Sequence, residues 1–154
     1  MTYAENLQQE EWKIKRIWII KRDNYKCTRC GKDGVEKSYK FNKEFDGNDL
    51  QELERVFEFI SENDINLNVH HLCYRDGHKP WEYGDDELIT LCPECHKKIH
   101  EESKVPIYDN EGQLESFAER CDKCGGSGYI PKYKHVENGV CFKCHGEGVL
   151  LYDL

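Results

Sequence analysis

Between Gln8 and Lys21 the apolar residues Trp12, Ile14, Ile17, Trp18 and Ile20 interleave with Lys13, Lys15, Arg16 and Lys21. This pattern predicts a basic amphipathic helix with its Trp and Ile residues on a core. Its basic face reads equally well as solvated or as turned to nucleic acid. Asp23-Asn24 breaks the pattern. After Gly47-Asn48, Asp49 with Glu52 three residues on predicts a capped helix with Leu50, Leu53, Val56, Phe57 and Ile60 on one side. The other side carries Glu52, Glu54, Glu58 and Glu62 and reads as solvated surface. Asn66 to Leu72 predicts a short strand and Leu88 to Cys92 another, and Pro93 opens a helix to about Glu101. Pro106 and Asp109-Asn110-Glu111-Gly112 predict a hairpin and linker over 102–120.

Composition adds a need for staples. Of 154 residues, 38% are hydrophobic and 34% charged, which leaves little apolar area to offset chain entropy. Eight of the nine cysteines form four C-x-x-C pairs: Cys27/Cys30, Cys92/Cys95, Cys121/Cys124 and Cys141/Cys144. Cys73 is left over and reads as a lone buried thiol. The polar N-terminus lacks a signal-peptide pattern, and Ile17 to Ile20 is too short to span a membrane. A reducing cytoplasm, with the pairs on zinc rather than in disulfides, is therefore expected. The net charge of -8 argues against an indiscriminate grip on a polyanion. The stretch from Lys13 to Lys43, however, has eleven Lys or Arg against three acidic residues.

Candidate chemistry concentrates in Leu67-Asn-Val-His70-His71-Leu72 and Leu88-Ile-Thr-Leu91-Cys92-Pro-Glu-Cys95-His96-Lys-Lys-Ile-His100. Four residues apart on a helix, His96 and His100 stack on one face, as chelation of one divalent ion requires. His70 and His71 point to opposite sides of a regular strand and can divide labour between metal and substrate. Cys27/Cys30 and Cys92/Cys95 make chemical sense as one closed four-thiolate zinc site that clamps the N-terminal segment to the histidine-bearing elements. His78, His135 and His145 lack such company and read as incidental.

Over about residues 12 to 100 the chain resembles the HNH (ββα-metal) nuclease family. The resemblance is carried by Ile20 to Gly31, by His70-His71, by Leu88 to His96 with His100, and by the loop Lys79-Pro-Trp81-Glu-Tyr83. It implies a phosphodiester hydrolase in which His71 is the general base, His70 and His96 are metal ligands and His100 is a third ligand. The implied ion is Mg2+, Mn2+, Ni2+ or Zn2+, acting on the scissile phosphate. One position departs from the family: Glu87 stands where an Asn braces the loop, and it lacks the amide donor. Trp81 packing under the loop is one way to replace that brace.

Cys121-Asp-Lys-Cys124-Gly-Gly126-Ser-Gly128 and Cys141-Phe-Lys-Cys144-His-Gly146-Glu-Gly148 repeat the pattern C-x-x-C-x-G-x-G. The glycines let the backbone curl so that amides meet thiolate sulfur. The repeat resembles half of the cysteine-rich domain of DnaJ-type co-chaperones and implies one further zinc site. Tyr129, Tyr133 and Phe142 with Lys132, Lys134 and Lys143 read either as cover for a small zinc core or as a strand-stacking surface.

The expectation is thus a small α+β chain. Residues 1–101 form a ββα-metal nuclease core with a four-cysteine zinc site, 102–120 a linker or hairpin, and 121–154 a small C-terminal zinc-binding module. Two structural zinc ions and one catalytic divalent metal are the cofactors. DNA, or alternatively RNA, is the partner, with a protein partner for the second module as a further option and no membrane. The first module is expected to fold and act alone. The alternative is a non-catalytic zinc-binding adaptor or nucleic-acid-binding protein on an inactivated HNH scaffold.

Overall fold

A computed structural model describes residues 2–34, 67–136 and 139–151, together with Gln51. The acid-faced helix expected after Asp49 lies, apart from Gln51, outside the described residues. Two helices open the chain, α1 (Tyr3–Asn6) and α2 (Glu10–Arg22), followed by β1 (Asn68–His71) and β2 (Tyr74–Arg75). Then come β3 (Leu88–Leu91), α3 (Pro93–Glu102), β4 (Pro106–Tyr108), β5 (Leu114–Phe117), β6 (Glu119–Arg120) and β7 (Val149–Leu150). The fold is small and of mixed α+β type. No helix among the described residues is long and apolar enough to cross a membrane.

The site-bearing unit is β1, a long loop, β3 and α3. β1 and β3 pair antiparallel, with Asn68 opposite Leu91, His70 opposite Ile89 and His71 opposite Leu88. Pro93 starts α3 because its missing N–H costs nothing in the first turn, and the Cys92 sulfur accepts from the Cys95 amide at 3.5 Å. Trp12, Ile19 and Ile20 of α2 pack with Val69, Leu88 and Leu91 in the main core. Each fully buried Leu or Ile side chain there contributes roughly 1.5–3 kcal/mol of transfer free energy.

The cations of α2 are largely spent on the fold itself. Lys15 pairs with Asp85 at 2.7 Å, Arg16 donates to the Leu67 carbonyl at 3.3 Å, and Arg22 donates to the Leu88 carbonyl at 2.7 Å and to the Asp85 carbonyl. Helix α2 therefore secures the loop between β1 and β3. This favours the structural reading of its basic face.

Residues 102–120 do contain the expected hairpin, β4 with β5, whose turn is held by the Asp109 carboxylate accepting from the Glu111 and Gln113 amides at 2.9 Å. They are more than a linker, however. β4 also pairs parallel with β2, and Val105 and Ala118 are buried in the main core together with Val149 from the far end of the chain. β6 pairs antiparallel with β7. The two modules thus share one core, against the expectation of a self-sufficient first module. Short apolar stretches such as Val105 and Val149 give no periodic signal, so the sequence pattern does not reveal this docking.

Candidate metal centres

Cys27, Cys30, Cys92 and Cys95 converge, although 61 residues separate Cys30 from Cys92. Four sulfurs about 2.3 Å from one ion in tetrahedral array lie about 3.8 Å apart, and the Cys30 and Cys92 sulfurs are 3.8 Å apart. The first knuckle is tied to the second through Thr28, which donates from both its amide and its hydroxyl to the Thr90 carbonyl at 2.9 Å. Arg29 reaches both Glu102 oxygens at 2.7 and 2.8 Å. The donor set and spacing fit one zinc ion.

Cys121, Cys124, Cys141 and Cys144 form the second tetrad, with sulfur separations of 3.9 Å for Cys121 to Cys141 and 3.7 Å for Cys124 to Cys144. Its symmetry follows from the repeat. The Gly128 amide donates to the Cys124 sulfur at 3.2 Å and the Gly148 amide to the Cys144 sulfur at 3.3 Å, as the glycine spacing predicts. Both glycines have positive φ, and a Cβ on either would collide with the opposite repeat at the Gly146 or Gly126 carbonyl oxygen. None of the nine cysteines forms a disulfide.

A third cluster joins His70 of β1 with His96 and His100 of α3, one ligand atom of each lying within 4.8 Å of the others. The Nε2 atoms of His96 and His100 are 3.0 Å apart, near the roughly 3.3 Å expected of two imidazoles on one tetrahedral ion. His96 Nδ1 lies 3.2 Å from the Ser127 carbonyl, so that nitrogen carries the hydrogen and Nε2 keeps its lone pair. His70 Nδ1 is buried with no hydrogen-bond partner among the described residues, a costly state that a bound cation at this cluster can relieve if that nitrogen is the ligand. Burial holds all three imidazoles below their ordinary pKa, His70 down to about 3, so they are neutral ligands at pH 7. His100 is the most accessible of the three, at 7% exposure.

His71 points the other way and is fully buried. Trp12 stacks on it at 4.9 Å between ring centroids, and Tyr3, Tyr74 and Tyr83 complete an aromatic cage. Its Nδ1 lies 3.0 Å from a Glu147 carboxylate oxygen and its Nε2 lies 3.0 Å from the Pro80 carbonyl. The Tyr74 hydroxyl donates to the same Glu147 oxygen at 2.6 Å. Burial alone would raise the Glu147 pKa, but His71 and Tyr74 outweigh it and hold the carboxyl below its ordinary range. Both ring nitrogens of His71 thus face protein oxygen atoms, a carboxylate on one side and a carbonyl on the other. In this arrangement His71 has no nitrogen left to take a proton from water.

Glu87 does brace the loop, without an amide side chain. It accepts from the Gly84 amide at 2.9 Å and from the Arg75 guanidinium, which is the main reason its pKa falls to about 2. Trp81 packs partly buried against the core beside it, and Cys73 is buried with its thiol on Glu87 at 3.6 Å. Sequence reasoning missed Ser127 and Glu147. They occupy the same place in the two repeats, between the paired glycines, and both reach the histidine-bearing unit. A charged residue between two glycines of a zinc knuckle is the signal that could have found Glu147. Comparison with family models, curated proteins and solved structures finds no match.

Proposed function

We propose that the chain is a divalent-metal-dependent phosphodiester hydrolase of HNH type acting on DNA, with His70, His96 and His100 as the metal ligands. The convergence of three neutral imidazoles on a strand, loop, strand and helix unit carries this reading. Three protein ligands with a remaining open position is the coordination that catalytic zinc sites use. An all-imidazole donor set suits Zn2+ or Ni2+ better than Mg2+. Such an ion would supply Lewis-acid polarisation of a phosphoryl oxygen. A cleft of about 520 Å³ opens beside His100; its lining is charge-balanced, with Lys104 and Arg120 set against Glu101 and Glu119 and Arg120 paired with Glu101 at 3.5 Å. His71 takes a positioning role in this reading, joining β1 to the second module through Glu147.

A specific observation favours a second reading. His71 is saturated and caged, and Ser127, Gly146 and Gly148 lie against Asn68, His96 and His100. A non-catalytic metal-stapled adaptor would look the same. Metal content and plasmid nicking, measured on the full chain and on His96→Ala, separate the two. Three bound ions in the wild type, two in the variant, and nicking lost with the third ion support the hydrolase. A third ion without nicking under Zn2+, Ni2+, Mn2+ or Mg2+ supports the adaptor, and no third ion removes the metal centre from both.

A further inference from the structure

The second zinc module carries an aromatic pair, Phe142 exposed and Tyr133 half-buried, that its own core does not use. Cys121, Cys141 and Cys144 form that core with Cys124, Ile130 and Leu150 packed against them; Tyr133 and Phe142 are not part of it. Phe142 is 58% exposed, and its ring meets Tyr133 edge to face at 5.9 Å between centroids. Lys123 sits over the Phe142 ring at 5.3 Å and Lys132 over the Tyr133 ring at 5.8 Å. A hollow of about 450 Å³ lies beside the pair, lined by Val136, Val140 and His145 as well.

From these observations we infer that Tyr133 and Phe142, flanked by Lys123 and Lys132, form a binding surface for single-stranded nucleic acid. Flat apolar rings with cations beside them offer a stacking face for a base and a counter-charge for its phosphate, independent of base identity. Charge complementarity supports this occupant. From Cys121 to Leu154 the sequence has four lysines against four acidic residues, so this module is neutral in a chain whose net charge is -8, and two of the lysines lie over the rings. One of the acidic residues, Glu147, is buried against His71, and another, Asp122, pairs with Lys143 at 2.6 Å. A duplex hides its base faces in the stack, so the exposed rings select for the single strand. The inference extends the nucleic-acid reading to a surface that owes nothing to the histidine cluster.

The test is fluorescence anisotropy of a labelled oligothymidylate on the full zinc-loaded chain, without added divalent ion, so that its outcome does not depend on the proposed hydrolysis. Phe142→Ala should weaken binding about tenfold, as loss of one stacked base does, while Phe142→Trp keeps or tightens it. Replacing Lys123 and Lys132 with Gln should lower the slope of log Kd against log salt by about 1.4. Zinc content equal to wild type certifies each variant as folded, and the Trp variant serves as the readout if the Ala variant loses zinc. Absence of saturable binding, undiminished binding in folded Phe142→Ala, weaker binding in folded Phe142→Trp, or preference for a duplex of the same sequence would overturn the inference. So would an unfolded peptide that binds through Phe142 where the oligonucleotide does not.

Discussion

His70 and His71 are neighbours on one strand, yet the two faces of β1 have opposite electrostatic character. On the His70 face three imidazoles crowd together, burial keeps them neutral, and among the described residues no carboxylate joins the cluster and one buried nitrogen has no partner. On the His71 face one imidazole meets a carboxylate and a carbonyl, so both of its ring nitrogens are served, although the buried Tyr3 hydroxyl of the same cage has no hydrogen-bond partner among the described residues. The first face offers its nitrogens to a cation; the second already has its imidazole and carboxylate in contact with each other. Adjacent histidines with alternating side chains can thus serve different ends, and sequence adjacency does not tell which face reaches water.

The sharpest way to break the comparison is to remove the element that serves both faces. Ending the chain near Glu115 keeps all four histidines and the first cysteine tetrad but deletes Ser127, Glu147 and Val149. We predict that the truncated chain loses its cooperative unfolding transition and exposes apolar surface. The measurements are urea unfolding followed by tryptophan fluorescence, and binding of an apolar dye. A truncated chain as stable as the full one would mean that the shared core counts for little.

Next in size is Glu147→Ala. Removing this carboxylate leaves the buried His71 nitrogen and Tyr74 hydroxyl without their shared acceptor, at about 1–3 kcal/mol for each group left unsatisfied, so the urea midpoint should fall while cysteine-bound zinc stays at two ions. Combining it with His71→Ala should restore part of the loss, because the double variant has no unsatisfied His71 nitrogen. Additive losses in that cycle would show that the two groups do not interact.

Most of the elements are legible in the sequence, because periodicity, punctuation and metal-ligand spacing are local. The α2 helix, the two strands, the Pro93 helix, the hairpin at Asp109 and both cysteine tetrads fall within a few residues of their predicted places. The pairing of His96 with His100 is likewise anticipated by the i, i+4 spacing, whereas the choice of His70 over His71 as their companion rests on the resemblance to HNH nucleases and not on spacing. What the sequence hides is long-range. Nothing local indicates that Glu147 reaches His71 across 76 positions, or that Trp12 covers the ring. Nor does it show that residues near Val105 and Val149 join the core formed by α2 and β3. These are packing facts, set by how the whole chain closes.

A smaller effect isolates the His70 face. Added Zn2+ beyond two equivalents should stabilise the wild type by about 2.7 kcal/mol at a free concentration a hundredfold above its Kd. His96→Ala should lose this increment, and Glu147→Gln should keep it. Calorimetry and unfolding with graded zinc provide the check. An increment that survives in His96→Ala would place the third ion elsewhere.

Acid should distinguish the two faces in different windows, with the smallest effect per step. The three imidazoles of the His70 face have folded pKa values below the unfolded value of about 6.5. The unfolded chain therefore takes up protons first, and stability is complete above about pH 6.5 and declines as pH falls toward the folded values. Each buried imidazole costs up to about 1.4 kcal/mol per unit of pH in that window. Glu147 is also depressed, but from an unfolded value of about 4.3, so its share is intact at pH 5.5 and is lost only at lower pH. Unfolding at pH 7.5 and 5.5 with two zinc ions bound should thus show a decline that is shallower in His96→Ala. If His96→Ala keeps the full slope between those two pH values, the imidazoles of the His70 face are not held neutral by burial, and the contrast between the faces of β1 loses its electrostatic basis.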